Sequence, residues 1–180
     1  MQKVFITTAA RLKRARRTVV AELNSHGLWN GKLAKIPVKL VYFSPYYGWQ
    51  AYGSTGEICI PAISLCRMRD WYYTTYVSLC DVVRHEYAHA LAFCFPALIR
   101  DKKFKAAFGA PHDSDRTSSY TMGIHLTEYA ASSPAEDFAE TFMVYLRDGG
   151  RLRQCYQTTP IRRKWRFIQR FCHRMKTYSR

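Results

Sequence analysis

The residues best suited to chemistry sit in one short stretch, His85-Glu86-Tyr87-Ala88-His89. On a helix, residues four apart lie one above the other on the same face. His85 and His89 therefore present two imidazoles to one point in space. Two imidazoles at that spacing suit a tetrahedral zinc, which needs a third protein ligand from elsewhere. Glu86 stands where a carboxylate can take a proton from metal-bound water. The flanks Val82, Val83, Ala88, Ala90, Leu91 and Phe93 are apolar and helix-compatible, and no proline interrupts them before Pro96. The bland alternative is a buried helix whose histidines are satisfied by hydrogen bonds. A third ligand separates the two.

Downstream, the candidates are His112, His125, Glu128, Glu136, Asp137 and Glu140. Ser133-Pro134 reads as a helix start, with serine as N-cap and proline at the first helical position. Glu136 and Glu140 stand at i and i+4 on one face, while Phe138, Phe142 and Tyr145 occupy a face that should enter the core. A capping box, Ser133-x-x-Glu136, explains Glu136 on its own but leaves Glu140 unexplained. Two like charges at this spacing repel unless a cation lies near them, and a metal held by imidazoles supplies one. One carboxylate can bind the metal and the other can hold a ligand histidine through its second ring N–H. A three-histidine set using His125 stays open, since imidazole is the commonest zinc partner. His112, in a polar loop, reads as solvated or turn-stabilising.

His85-Glu86-Tyr87-Ala88-His89, then Tyr129, then Glu136-Asp137-Phe138-Ala139-Glu140 resembles the gluzincin metallopeptidases of the anthrax lethal factor and Pro-Pro endopeptidase type. The pattern is shared with many small bacterial proteins of that kind. It covers roughly residues 57–147 and not the two basic ends. The resemblance implies an α+β, zincin-like domain with an open Zn2+ site held by His85, His89 and Glu136. It implies that Glu86 is the general base, that Tyr129 assists catalysis, and that Glu140 supports a ligand from behind. The reaction it implies is hydrolysis of a peptide bond in a peptide or protein substrate.

The surrounding elements must position these groups. Residues 9–26 read as a basic amphipathic helix with Leu12, Ala15, Val19, Val20 and Leu23 on one face, and Gly27 suits a left-handed cap. Residues 37–43 and 57–63 read as strands. Pro61 cannot donate to a central ladder, which predicts an edge strand there, open to an added peptide. Residues 44–56, with Tyr46, Tyr47, Trp49 and Tyr52, read as a Gly- and Tyr-rich loop. A helical pattern runs from about Asp70 to Phe95, a short basic helix or turn spans 100–109, and a polar loop covers 110–119. A strong helix runs from Pro134 to about Leu146, ended by Gly149-Gly150. The last helix, from Thr159-Pro160, has Ile161, Trp165, Ile168, Cys172 and Met175 on one face, with Arg162, Arg166, Arg170 and Arg174 as an i+4 stripe.

With 180 residues, 48% of them hydrophobic, and no repeats or low-complexity linkers, the chain reads as one globular domain, 1–180. Its net charge of +15 favours anionic partners: nucleic acid, an anionic membrane or acidic protein surfaces. Residues 147–180 carry eleven Lys and Arg against the single acid Asp148, with Trp165 and Phe167 among them. That density can grip phosphates and stack bases, lie on an anionic membrane, or simply cover the core with its arginines in solvent, the commonest case for such a helix. The competing functional class is therefore a basic nucleic-acid-associated zinc protein, either a DNA-tethered protease or a binding module. No apolar run reaches transmembrane length, and the short run Val4-Phe5-Ile6 is followed by the basic segment Arg11 to Arg17 and not by a signal-like stretch. A cytoplasmic protein is expected, and delivery as an effector or toxin is compatible with that. The scattered cysteines Cys59, Cys66, Cys80, Cys94, Cys155 and Cys172 form no Cys-x-x-Cys pair and read as free thiols.

Overall fold

The structure is a computed structural model, described here over residues 5–42, 47–64 and 78–178. Phe43, Tyr46, Cys66 and the start of the helical pattern near Asp70 lie outside the described residues. The architecture is α+β: a small three-stranded mixed sheet and several helices. Helix α1, Ala9–Ser25, begins at Thr8, whose side chain accepts from Arg11 N–H, and buries Leu12, Ala15, Val19 and Leu23. It ends at Gly27, whose φ of 67° is the left-handed turn that a β-carbon disfavours. A short helix α2, Gly31–Ala34, leads into strand β2, Val38–Val41. The brief strand β1, Phe5–Ile6, pairs apart from the sheet with β5, Ile63–Ser64.

Residues 48–52 are not loop. They form strand β3, Gly48–Tyr52, paired antiparallel with β4, Thr55–Pro61, through a two-residue turn at Gly53-Ser54. The sheet order is β2-β4-β3, with β2 parallel to β4. The strand holding Pro61 is thus central, contrary to the edge position expected for it. The chain parity explains how. The amides of Ile58 and Ala62 donate to Pro37 and Val41, so the even positions face β2 and the nitrogen of Pro61 faces the β3 side. On that side the described pairing reaches Gly48 opposite Cys59. The missing N–H therefore breaks no ladder bond among the described residues. Among the described residues, the open edge on that side belongs to β3.

Helix α3, Leu79–Cys94, carries the His-Glu-x-x-His stretch. Its start is a full capping box: Ser78 accepts from Asp81 N–H, and the Asp81 carboxylate accepts from Ser78 N–H. Arg84 locks α3 to α1 by a forked pair of bonds to Glu22, at 2.7 and 2.6 Å, and one to Asp81 at 2.6 Å. Pro96–Ile99 (α4) and Lys102–Phe108 (α5) follow. The loop over 110–119 has no helix or strand, as its polar composition predicts. Helix α6, Pro134–Arg147, packs on α3 with Phe138 and Phe142 fully buried, and Gly149 and Gly150 turn the chain away at φ of 60° and 78°.

Helix α7, Thr159–Tyr178, covers α6 and α5. Its apolar face, including Trp165, Ile168 and Phe171, joins Phe104, Phe108, Phe138 and Phe142 in one aromatic core. Cys59, Cys80, Cys94, Cys155 and Cys172 are unpaired thiols. Among the described residues no helix is long and apolar enough to cross a membrane.

Candidate metal centre

Two facing helices build the site. From α3 come His85 and His89; from the first turns of α6 come Glu136 and Glu140. The Nε2 atoms of His85 and His89 lie 3.0 Å apart, and Glu136 Oε2 is 3.0 Å from the first and 3.3 Å from the second. Two ring nitrogens and a carboxylate oxygen thus form a near-equilateral triangle. A tetrahedral cation bound at about 2.0–2.1 Å holds its donors about 3.3 Å apart, so the triangle fits one face of that tetrahedron. Two imidazole nitrogens aimed at each other need a proton or a cation between them, and the carboxylate beside them stabilises either. This group can hold a metal ion.

The second ring nitrogen of His85 is fixed from behind. Glu140, fully buried, accepts from His85 Nδ1 at 2.7 Å, and its other oxygen accepts from Thr127 Oγ1 at 2.8 Å. Thr127 in turn accepts from Ala130 N–H at 3.2 Å, which ties the loop to the acid. With Nδ1–H donated to Glu140, the tautomer of His85 leaves Nε2 as a lone pair for a metal. Burial disfavours charge on His85, yet the bonds to Glu136 and Glu140 outweigh it and raise its pKa well above the ordinary value. Burial would push Glu136 upward, but the hydrogen bonds from His85 and His89 hold it far below the usual carboxylate range. Metal and protons therefore compete for the same donors.

The expected capping box at α6 is only half made. Ser133 Oγ accepts from Glu136 N–H at 3.2 Å, but the Glu136 carboxylate turns to the histidines. Tyr129, on the 3-10 turn Tyr129–Ala131, places its ring 5.8 Å from that of His85. Burial raises its pKa well above the usual phenol value; the negative charge of Glu136, Glu86 and Glu140 adds to this, as does a hydrogen bond to Glu136.

Glu86 is held by an element that sequence reading treated as loop. Its Oε2 accepts from the backbone N–H of Trp49 on β3 at 2.6 Å. A β-carbon built on Gly48 would sit 3.0 Å from both Glu86 carboxylate oxygens, and Gly48 has φ of 83°. Glycine is required there twice over, for the close approach and for the left-handed backbone. No side-chain pattern announces a backbone donor, and the Gly-Trp dipeptide is its only trace.

His125 lies outside the donor group. Its Nδ1 accepts from Thr121 N–H at 3.2 Å and its Nε2 meets Ser118 Oγ at 3.3 Å, so it braces the 118–131 loop and is not a third ligand. His112 is not solvated either. It is half-buried against Phe104 and Phe138, with Nε2 buried and unpartnered among the described residues. A cavity of about 250 Å³ lies on the other side of α6, lined by His125, Ser133 and Asp137 among others, and does not include the metal donors. In comparisons with protein-family models, curated proteins and solved structures, nothing matches this chain.

Proposed function

We propose that this protein is a zinc-dependent endopeptidase. The observation that carries the reading is the pairing of two features. Three donors converge on one face of a tetrahedron, and beside them Glu86 is anchored separately by the Trp49 amide. A structural zinc site is closed by four protein ligands and has no use for an oriented carboxylate next to it. Zinc, when bound, polarises a carbonyl and lowers the pKa of a coordinated water to about 7.

The chain's own residues supply the rest. Glu86, oriented through one oxygen by Trp49, takes the proton of the attacking water and returns it to the leaving amine. Tyr129 donates from its hydroxyl to the oxyanion that develops on the scissile carbonyl, an interaction worth about 3 kcal/mol. Its high pKa keeps it protonated, as a donor must be. Glu140 fixes the His85 ring from behind. The outer edge of β3, unpaired among the described residues, lies beside Glu86, where an extended peptide can pair by main-chain bonds.

The test is cleavage-site profiling of the zinc-loaded protein on a proteome-derived peptide library, beside Glu86→Gln. Wild type should cleave at defined sites. Glu86→Gln should keep its zinc by elemental analysis and lose turnover by about 10²–10⁴-fold. An inert zinc-loaded wild type, or normal turnover by the variant, overturns the reading.

A further inference from the structure

We infer that the face formed by α5 and α7 docks the phosphate backbone of duplex DNA. Arg162, Arg166, Arg170 and Arg174 are all exposed on α7. At four-residue spacing each step rises about 6 Å, so the stripe spans about 18 Å. Helix α5 lies antiparallel beside it. Arg163 Nη1 donates to the Ala106 carbonyl at 3.4 Å, and Arg174 Nη1 lies 3.6 Å from Asp101, at the opposite end. The exposed Lys102, Lys103 and Lys105 of α5 therefore border the arginines. Neither helix contains an acid. Asp101, just before α5, is already engaged in capping Phe104 N–H and in the contact with Arg174. Repeated like charges at i, i+4 cost helix stability, and a polyanion removes that cost.

The chemistry of the face selects among anions. A membrane-bound amphipathic helix must insert its apolar side, but Ile161, Trp165, Ile168 and Met175 are committed to the core, and among the described residues the exposed large apolar side chains lie on other elements. Single strands are gripped by stacking on aromatic rings, and here Trp165 and Phe167 are each only 3% exposed. The base stacking expected of these two residues is thus excluded, and what remains is contact with phosphates. An arginine-faced helix can approach the B-form major groove, about 12 Å wide, whereas the A-form groove is too deep and narrow for it. Binding should therefore be independent of sequence and steeply dependent on salt.

The experiment is fluorescence anisotropy of the full chain on a labelled mixed-sequence DNA duplex across a salt series. Five to seven phosphate contacts predict a slope of log K against log salt of about −4.5 to −6.3. Arg166→Glu with Arg170→Glu should weaken binding at low salt by about tenfold or more and make the slope shallower by about two. The milder Arg166→Gln with Arg170→Gln should move both in the same direction by less. Arg14→Glu with Arg17→Glu on α1 changes net charge equally and should alter affinity less than about twofold. An equal loss in the α1 variant overturns the inference, as does no binding at low salt. Equal affinity for single-stranded DNA, duplex RNA, phosphatidylserine vesicles or polyglutamate overturns it too. If a charge reversal fails to fold, as its melting curve would show, the wild-type salt slope and these competitor ligands still decide the matter.

Discussion

Glu136 and Asp137 are neighbours in sequence on α6, yet they face two opposite electrostatic worlds. Glu136 meets His85 and His89, groups that carry charge only when protonated. Asp137, 3% exposed, meets the equally buried Lys164 at 2.5 Å, and Lys164 also donates to the Ile124 carbonyl at 2.5 Å. Burial raises Asp137 to about 6 against the pull of Lys164, and burial lowers Lys164 despite the same partner. Glu136, by contrast, is held down despite its burial. On one side of the helix the counter-charge is built in and the ion pair is closed. On the other side it has to be supplied, by protons or by a metal. That difference, more than the presence of an acid, marks which carboxylate can serve as a metal ligand.

The largest expected effects come from exchanging the fates of these two acids. Glu136→Ala should lose bound metal while keeping its fold, with affinity falling by more than the roughly 100-fold typical of a supporting residue. Asp137→Ala should keep the metal and destabilise the protein by about 3–5 kcal/mol, because Lys164 is left buried and unpaired. For a chain of this size that is roughly 6–20 °C in melting temperature. Metal content by elemental analysis and thermal melting, measured on both variants, check the pair. Metal loss in Asp137→Ala with none in Glu136→Ala would erase the distinction.

The next effect is on the reaction and not on metal or fold. Gly48→Ala places a β-carbon against the Glu86 carboxylate and strains a left-handed backbone. Displacing the proposed base by about an ångström should cost on the order of 10²-fold in kcat, with KM and metal content little changed. An unaltered kcat would show that Trp49 N–H only holds the carboxylate at rest.

Much of the metal side was readable from spacing, since His85, His89, Glu136 and Glu140 sit on two helices whose periodicity fixes which side chains share a face. What could not be read was contributed by the backbone and by neighbours far away in sequence. Trp49 reaches Glu86 through its amide, and the strand carrying it is so rich in Gly, Tyr and Ser nearby that composition reads as loop. Pro61 pointed to an edge because its missing donor was visible, while the parity that turns its nitrogen away from β2 was not. Thr127 supports Glu140 from a loop with no periodicity to place it. Lys164 looked like one more cation in a basic tail; only the packing of α7 on α6 reveals it as the partner of Asp137. Ser78-x-x-Asp81 was a legible helix start that the longer helical pattern hid.

The smallest effect separates the histidines by the same contrast. His85, among acids, has a raised pKa, whereas His112 and His125 are lowered from 6.5 to about 4, by burial first and then by His89 and Lys164 respectively. A lowered histidine favours the neutral form in the folded protein, so its contribution is complete above 6.5 and is lost as pH falls toward 4. The geometry gives the reason for His125. Nδ1 already accepts from Thr121 N–H, so a second proton there would abut a donor and break the brace on the loop. His85 works in the opposite direction in the metal-free protein, being most stabilising when protonated. Melting must therefore be followed with a chelator present and compared between variants. His125→Asn retains an acceptor but does not titrate, so its melting temperature should fall less between pH 6.5 and 4 than that of wild type, by roughly 3–6 °C. Parallel curves for the two proteins would mean that His125 is not held neutral, and that the lysine side of α6 is less closed than its packing implies.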